Sequence, residues 1–199
     1  AIHQLKNTPS TSVPPNAFCE VNNQMLVGYN NIIYKVATDH NGNLSLKTTA
    51  PILNFKCSSI ICMTKNNDEL WVGTDNGIYR INNENRTIKS YIHNEADTHS
   101  ITQNFITNIY VAPDHQIFVS TLKGLNLYNP IYDCFTSIVQ DEKENSKTLN
   151  CNFIHCVLCE GSTIWIGTEA GGLNKMTKRM LSVKNYTHIT ENSNSISKG

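Results

Sequence analysis

Short apolar runs separated by polar turns recur along the chain, and four of them share one pattern. Met25-Leu-Val-Gly-Tyr-Asn-Asn-Ile-Ile-Tyr34, Leu70-Trp-Val-Gly-Thr-Asp-Asn-Gly-Ile-Tyr79, Ile117-Phe-Val-Ser-Thr-Leu-Lys-Gly-Leu-Asn126 and Ile164-Trp-Ile-Gly-Thr-Glu-Ala-Gly-Gly-Leu173 align on Val27, Val72, Val119 and Ile166. The spacings of 45, 47 and 47 residues are nearly constant. Such a period is the mark of a repeat architecture. Before the last three lie Ser59-Ile-Ile-Cys-Met63, Ile106-Thr-Asn-Ile-Tyr110 and Ile154-His-Cys-Val-Leu158. After them come Ile78–Ile81, Leu125–Tyr128 and Leu173–Met176, then Ile88–Tyr91, Phe135–Ile138 and Val183–Tyr186. Every run is of strand length and none keeps helical spacing, so the pattern predicts strands throughout.

Four antiparallel strands per unit of about 40 to 50 residues is the arithmetic of a propeller blade. The fold class expected is all-β: about four four-stranded blades, a partial propeller spanning 1–199, with approximate repeats 18–61, 62–108, 109–156 and 157–199. A blade has two apolar faces and buries them only by stacking on its neighbours. Trp71, Phe118 and Trp165 are expected to fill the space between blades, and Trp71→Ala to cost about 3–5 kcal/mol. Gly77, Gly124 and Gly172 open the third strand, where positive φ or close approach is needed. Counting Gly172 with the others makes the last turn one residue longer.

Composition changes little of this. Asparagine pairs such as Asn22-Asn23, Asn30-Asn31 and Asn66-Asn67 fall between the apolar runs, where their tolerance of left-handed geometry suits turns. Sixteen basic residues balance sixteen acidic ones, and the basic residues are scattered, which argues against nucleic-acid binding. No run reaches the eighteen apolar residues of a membrane helix, and the polar stretch 1–15 lacks the order of a signal peptide. The seven cysteines are odd in number. Only Cys156 and Cys159 have CxxC spacing, and three residues apart on a strand they point to opposite faces. They read as structural thiols, as does Cys62, placed at the position of Ile109 and Val157.

Leu70-Trp-Val-Gly-Thr-Asp-Asn-Gly-Ile-Tyr-Arg80 and Ile164-Trp-Ile-Gly-Thr-Glu-Ala-Gly-Gly-Leu-Asn174 resemble the two-component regulator propeller repeat. The loops His99-Ser-Ile-Thr-Gln-Asn104 and Asn192-Ser-Asn-Ser-Ile-Ser197 resemble that family's connectors. The first unit departs from the pattern with Tyr29 for Thr, the third with Phe118 and Ser120 for Trp and Gly. The resemblance implies a non-catalytic stretch of the periplasmic sensor region of a Bacteroides-type hybrid two-component receptor. The parent chain would then carry a histidine kinase, and the ligand would be glycan-derived. The chain breaks off at Ile196-Ser-Lys-Gly199, where another inner strand is expected, so it reads as a fragment.

No nucleophile elbow, HExxH or phosphate loop occurs. Neither a cofactor nor a metal is expected. Asp114 and His115 read as solvated turn residues, and Asp141, Glu142 and Glu144 as a charged loop. Propeller ligands generally sit near the convergence of the innermost strands and their leading loops. That places Asn104, Asn152 and His155 as hydrogen-bonding candidates and Tyr29 and Tyr110 as stacking ones. The plainer reading makes Asn104 and Asn152 loop caps. The alternative function is a protein-interaction or dimerisation scaffold working through blade edges, with no small-molecule ligand.

Overall fold

The computed structural model describes residues 14–48, 55–82, 87–141, 148–178 and 183–186. Among them there are sixteen strands and no helix, arranged as four four-stranded antiparallel sheets. The first sheet is β1 (Ala17–Val21), β2 (Gln24–Tyr29), β3 (Ile32–Thr38) and β4 (Leu44–Thr48). The second is β5 (Ile60–Asn66), β6 (Glu69–Thr74), β7 (Gly77–Asn82) and β8 (Ile88–Tyr91). The third is β9 (Ile106–Val111), β10 (Ile117–Thr121), β11 (Gly124–Asn129) and β12 (Cys134–Ile138). The fourth is β13 (Ile154–Glu160), β14 (Thr163–Thr168), β15 (Gly172–Thr177) and β16 (Val183–Tyr186). Each sheet is a meander in sequence order, the blade expected from the repeat. The repeat boundaries 61/62, 108/109 and 156/157 fall inside β5, β9 and β13, because the period was phased on the second strand. Glu142, Glu144 and the connector 192–197 lie outside the described residues.

The chain divides into two compact units, Ala1–Ser90 and Tyr91–Gly199. The first holds sheets β1–β4 and β5–β8 (all but the last residue of β8), the second β9–β12 and β13–β16. In the first, Ala17, Val21, Leu26 and Ile33 pack on Phe55, Ile60, Met63, Leu70, Val72 and Ile81. Contact there is close: a Cβ on Gly28 would lie 3.0 Å from Ile60 Cγ2. In the second, Ala112, Phe118 and Leu125 pack on Leu149, Ile154, Val157, Ile164, Ile166 and Met176, with Tyr110 and Leu127 against them. Thr107 Oγ1 donates to Ile154 O at 2.7 Å, tying one inner strand to the next.

The threonine of the repeated motif is a turn device. Thr74, Thr121 and Thr168 are buried, and each hydroxyl donates to the carbonyl of the glycine opening the third strand, at 2.8, 3.0 and 3.0 Å. The same oxygen accepts Asn76 N–H and Lys123 N–H, both at 3.0 Å. Gly77, Gly124 and Gly172 have φ of 95°, 126° and 69°, the positive values anticipated from their placement. Gly172 pairs with Thr168, so the fourth blade's turn is indeed one residue longer.

Two expectations need correction. Cys62 is not at the position of Ile109 and Val157: Cys62 pairs with Gly73 and Met63 with Val72, so Met63 takes that place. The β9–β10 turn is longer than the β5–β6 turn, which displaces a count made back from the second strand by one residue. Trp71 and Phe118 are fully buried, but Trp165 is only half-buried, with Lys175 Nζ 5.2 Å above its ring and its indole N–H donating to Glu160.

Candidate functional site

In the second, third and fourth blades the leading loop of the inner strand is pinned by a side chain on the third residue of the third strand. In the third blade this is Asn126, with no exposed surface. Its Oδ1 accepts Thr102 N–H at 2.9 Å and the Ser137 hydroxyl at 3.1 Å. Its Nδ2 donates to Thr102 Oγ1 at 3.0 Å and Val119 O at 3.2 Å. In the fourth blade Asn174 accepts Asn150 N–H at 3.2 Å and donates to Asn150 Oδ1 at 2.8 Å. In the second blade Tyr79 stands there, and its hydroxyl accepts Lys56 N–H at 2.9 Å. Beside the three pinned residues Ile101, Leu149 and Phe55 are buried, so each loop enters the core as it approaches the inner strand.

Asn104 and Asn152 stand two residues before β9 and β13 and do the same work. Asn104 Oδ1 accepts His93 N–H at 2.6 Å, and Asn152 Oδ1 accepts Gln140 N–H at 2.6 Å. Both amide oxygens are therefore committed to holding loops. Tyr29, in the first unit, is a core residue at 7% exposure, edge-on to Tyr34 with centroids 5.9 Å apart. Tyr110 leans on Phe118 at 6.3 Å, and its hydroxyl accepts Cys159 N–H at 3.2 Å. Tyr29 thus has almost no accessible ring, whereas Tyr110 is half-buried.

His155 is the accessible candidate. Its side chain is about half exposed, its Nε2 meets the Glu169 carboxylate, and its ring lies 4.9 Å from that of Phe153 at 32°. Glu169 N–H donates to Phe153 O at 3.0 Å, fixing the β14–β15 turn against the loop. An aromatic face, an imidazole and a carboxylate thus converge at the start of β13. The sequence reading missed Phe153 and Glu169. The available signal was the acidic residue directly after the motif threonine, Glu169 here and Asp75 in the second blade.

In the second blade the corresponding place is a cleft of about 490 Å³ lined by Phe55, Lys56, Cys57, Ser58, Asp75 and Asn76. Asp75 Oδ1 accepts Ser58 N–H at 3.0 Å and Ser59 N–H at 3.2 Å. Burial first, then the neighbouring Asp75 carboxylate, pushes the Cys57 thiol up to about 11. On the β9–β10 turn Asp114 pairs with Lys178, whose hydrogen bond holds its carboxyl below the ordinary value. Cys156 is exposed and Cys159 buried, the opposite-face placement expected of them. Among the described residues no group of three or more His, Cys, Asp or Glu side chains is arranged to hold a metal. No helix among them is long and apolar enough to cross a membrane.

The sequence matches no protein-family model and no curated protein. Solved structures do match. The extracellular domain assigned to the hybrid two-component system BT4673 of B. thetaiotaomicron superposes with a TM-score of 0.72 at 21% identity, over 92% of this chain and 23% of that one. The extracellular domain assigned to BT3049 of the same organism gives 0.68 at 17%, over 87% and 24%. Virginiamycin B lyase from Staphylococcus aureus gives 0.59 at 14%, over 92% and 58%. The chain therefore has the blade fold of these proteins. It spans about a quarter of the length of the two extracellular domains.

Proposed function

We propose that this chain is a non-catalytic part of the periplasmic sensor region of a hybrid two-component receptor, and that the receptor responds to glycan-derived ligands. The observation that carries the reading is the likeness of nearly the whole chain to extracellular domains of two such systems. The repeated motifs quoted above point the same way, and they imply a histidine kinase in the parent chain. Of the five candidate residues, His155 suits a ligand best. With Phe153 and Glu169 it offers a ring face for the apolar side of a sugar and acceptors for its hydroxyls. Asn152 then positions the loop that leads into it.

Calorimetry of the whole receptor region with oligosaccharides tests this. Binding heat with one glycan class, weakened about tenfold by the paired change Phe153→Ala and His155→Ala, is the expected result, a loss of roughly 1.4 kcal/mol. Absence of heat with every glycan whose degradation genes the receptor induces overturns it.

A protein-contacting role has its own support in the β11–β12 turn. Ile131 and Tyr132 are 83% and 77% exposed, at a tip held by Asn129 Oδ1, which accepts Ile131 N–H at 3.0 Å. Asp133, next in the chain, accepts the hydroxyls of Tyr91 and Tyr128 at 2.6 and 2.7 Å. Two large apolar side chains on a braced tip fit an interface anchor. Light scattering of the receptor region with and without Ile131→Asp and Tyr132→Asp separates this reading: an unchanged oligomeric state counts against self-association there.

A further inference from the structure

The first strands of the second, third and fourth blades share an irregularity in their ladder with the second strand. Ile60 pairs with Thr74 and Cys62 with Gly73; Ile106 pairs with Thr121 and Asn108 with Ser120. Ile154 pairs with Thr168 and Cys156 with Gly167. Ile61, Thr107 and His155 are each passed over. A bulge of this kind releases one side chain from the pleat and re-aims it. Thr107 spends its hydroxyl on Ile154 O at 2.7 Å, and Ile61 carries no polar group. At His155 the released side chain is an imidazole, about half exposed.

The carboxylate beside it is also diverted from the loop. Asp75 and Glu169 both follow the motif threonine, and their N–H groups donate to Ser59 O at 3.1 Å and Phe153 O at 3.0 Å. Asp75 turns its carboxylate back onto Ser58 and Ser59 N–H. Glu169, one methylene longer, reaches His155 Nε2 instead. The polar atoms offered there are acceptors. An ionised carboxylate has no hydrogen to give, and a neutral imidazole whose Nε2–H it holds keeps an unprotonated Nδ1. Phe153, with its ring 4.9 Å from that of His155, adds a π face, which attracts cations. Lys and Arg are absent from 99–105, 148–153 and 169–172, and Lys123 stands on the β10–β11 turn of the neighbouring blade. A uronate or a sulfate thus finds no cationic partner in these loops.

We propose that this site takes the protonated amine of an amino sugar. The ammonium, with three donors and no acceptor, donates to Glu169 and to His155 Nδ1, while Phe153 lies against the sugar ring. Phe105, the third-blade counterpart of Phe153, is 38% exposed and adds a second ring at the start of the neighbouring inner strand. The assignment rests on the glycan-sensor reading and narrows its ligand to sugars with a free amine.

The test is calorimetry of the whole receptor region at pH 7 with three probes of equal length: a glucosamine oligosaccharide, its N-acetylated form and a uronic-acid oligosaccharide. The free amine is expected to bind about tenfold tighter than the acetylated form, the worth of one charge-assisted hydrogen bond. Glu169→Gln should remove that preference and leave the acetylated form's affinity unchanged. Asp114→Asn removes a carboxylate from the opposite end of the same blades, on the β9–β10 turn, and should leave the preference intact. Added salt should shrink the preference, as for an exposed charge pair. Equal binding of the amine and acetylated forms, tighter binding of the uronic-acid probe, or equal losses in Glu169→Gln and Asp114→Asn overturns the proposal. Each of those results leaves a glycan-binding receptor standing. No heat with any of the three probes overturns the amine assignment as well, and the wider glycan set described above then decides the receptor reading.

Discussion

Asn126→Ala should loosen the leading loop of β9 well beyond the site of the change. The amide makes four hydrogen bonds from a position without exposed surface. A net contribution of about 1 kcal/mol per bond sets an upper figure of about 4 kcal/mol. Thr102 and Ser137 are half-buried and recover water in the variant, which brings the expected loss to about 2–3 kcal/mol. That loss corresponds to roughly 30- to 150-fold faster opening-limited amide exchange. The assay is native-state hydrogen exchange by mass spectrometry. Peptides over 92–105 should accelerate by that factor in Asn126→Ala, while peptides over β1–β4 stay unchanged. Thr102→Ala combined with Asn126→Ala should cost less than the sum of the two, since they share bonds. Acceleration below about threefold in 92–105 would show that burial of Ile101, not the amide, holds the loop.

Phe118→Ala, which removes a ring with no exposed surface, is expected to lower stability by about 3–5 kcal/mol in urea unfolding; a loss under about 1 kcal/mol would contradict its place between sheets. Gly124→Ala puts a Cβ 2.8 Å from Ile138 O at φ of 126°, and should cost about 2–4 kcal/mol. Gly161→Ala, at φ of 57° with open space around it, should cost about 1 kcal/mol by the same measurement. Equal losses would mean that the close approach at Gly124 carries no weight. Alkylation of Cys57 should keep accelerating up to about pH 11, its raised value, because only the thiolate reacts. Asp75→Asn should move that limit down by removing the second cause, and a plateau near pH 9 would refute the burial account.

The blades were legible because a period of about 47 residues and two-residue alternation are both sequence properties, and all four sheets follow from them. Residue-level positions were harder. Cys62 was set one place off because a turn's length is invisible in the side chains used to align it. Trp165 was expected to be buried from its likeness to Trp71, yet burial depends on what covers a face, not on the residue that occupies it. Asn104 and Asn152 were recognised as polar residues beside the inner strands. That their oxygens are spent on His93 and Gln140 depends on loop folds of a dozen residues that no local pattern encodes. Phe153 and Glu169 were missed because they are brought together through the turn of a neighbouring hairpin.

The pin on the leading loop bears on why the fold is recognised among solved structures while sequence profiles find nothing. A phenol in one blade and carboxamides in two others reach the same backbone N–H. What natural selection must preserve there is an oxygen at a given reach, and several side chains supply one. Substitutions of that kind erase identity column by column while leaving every strand where it was. Repeats of this type can therefore drift past recognition by spelling and still superpose.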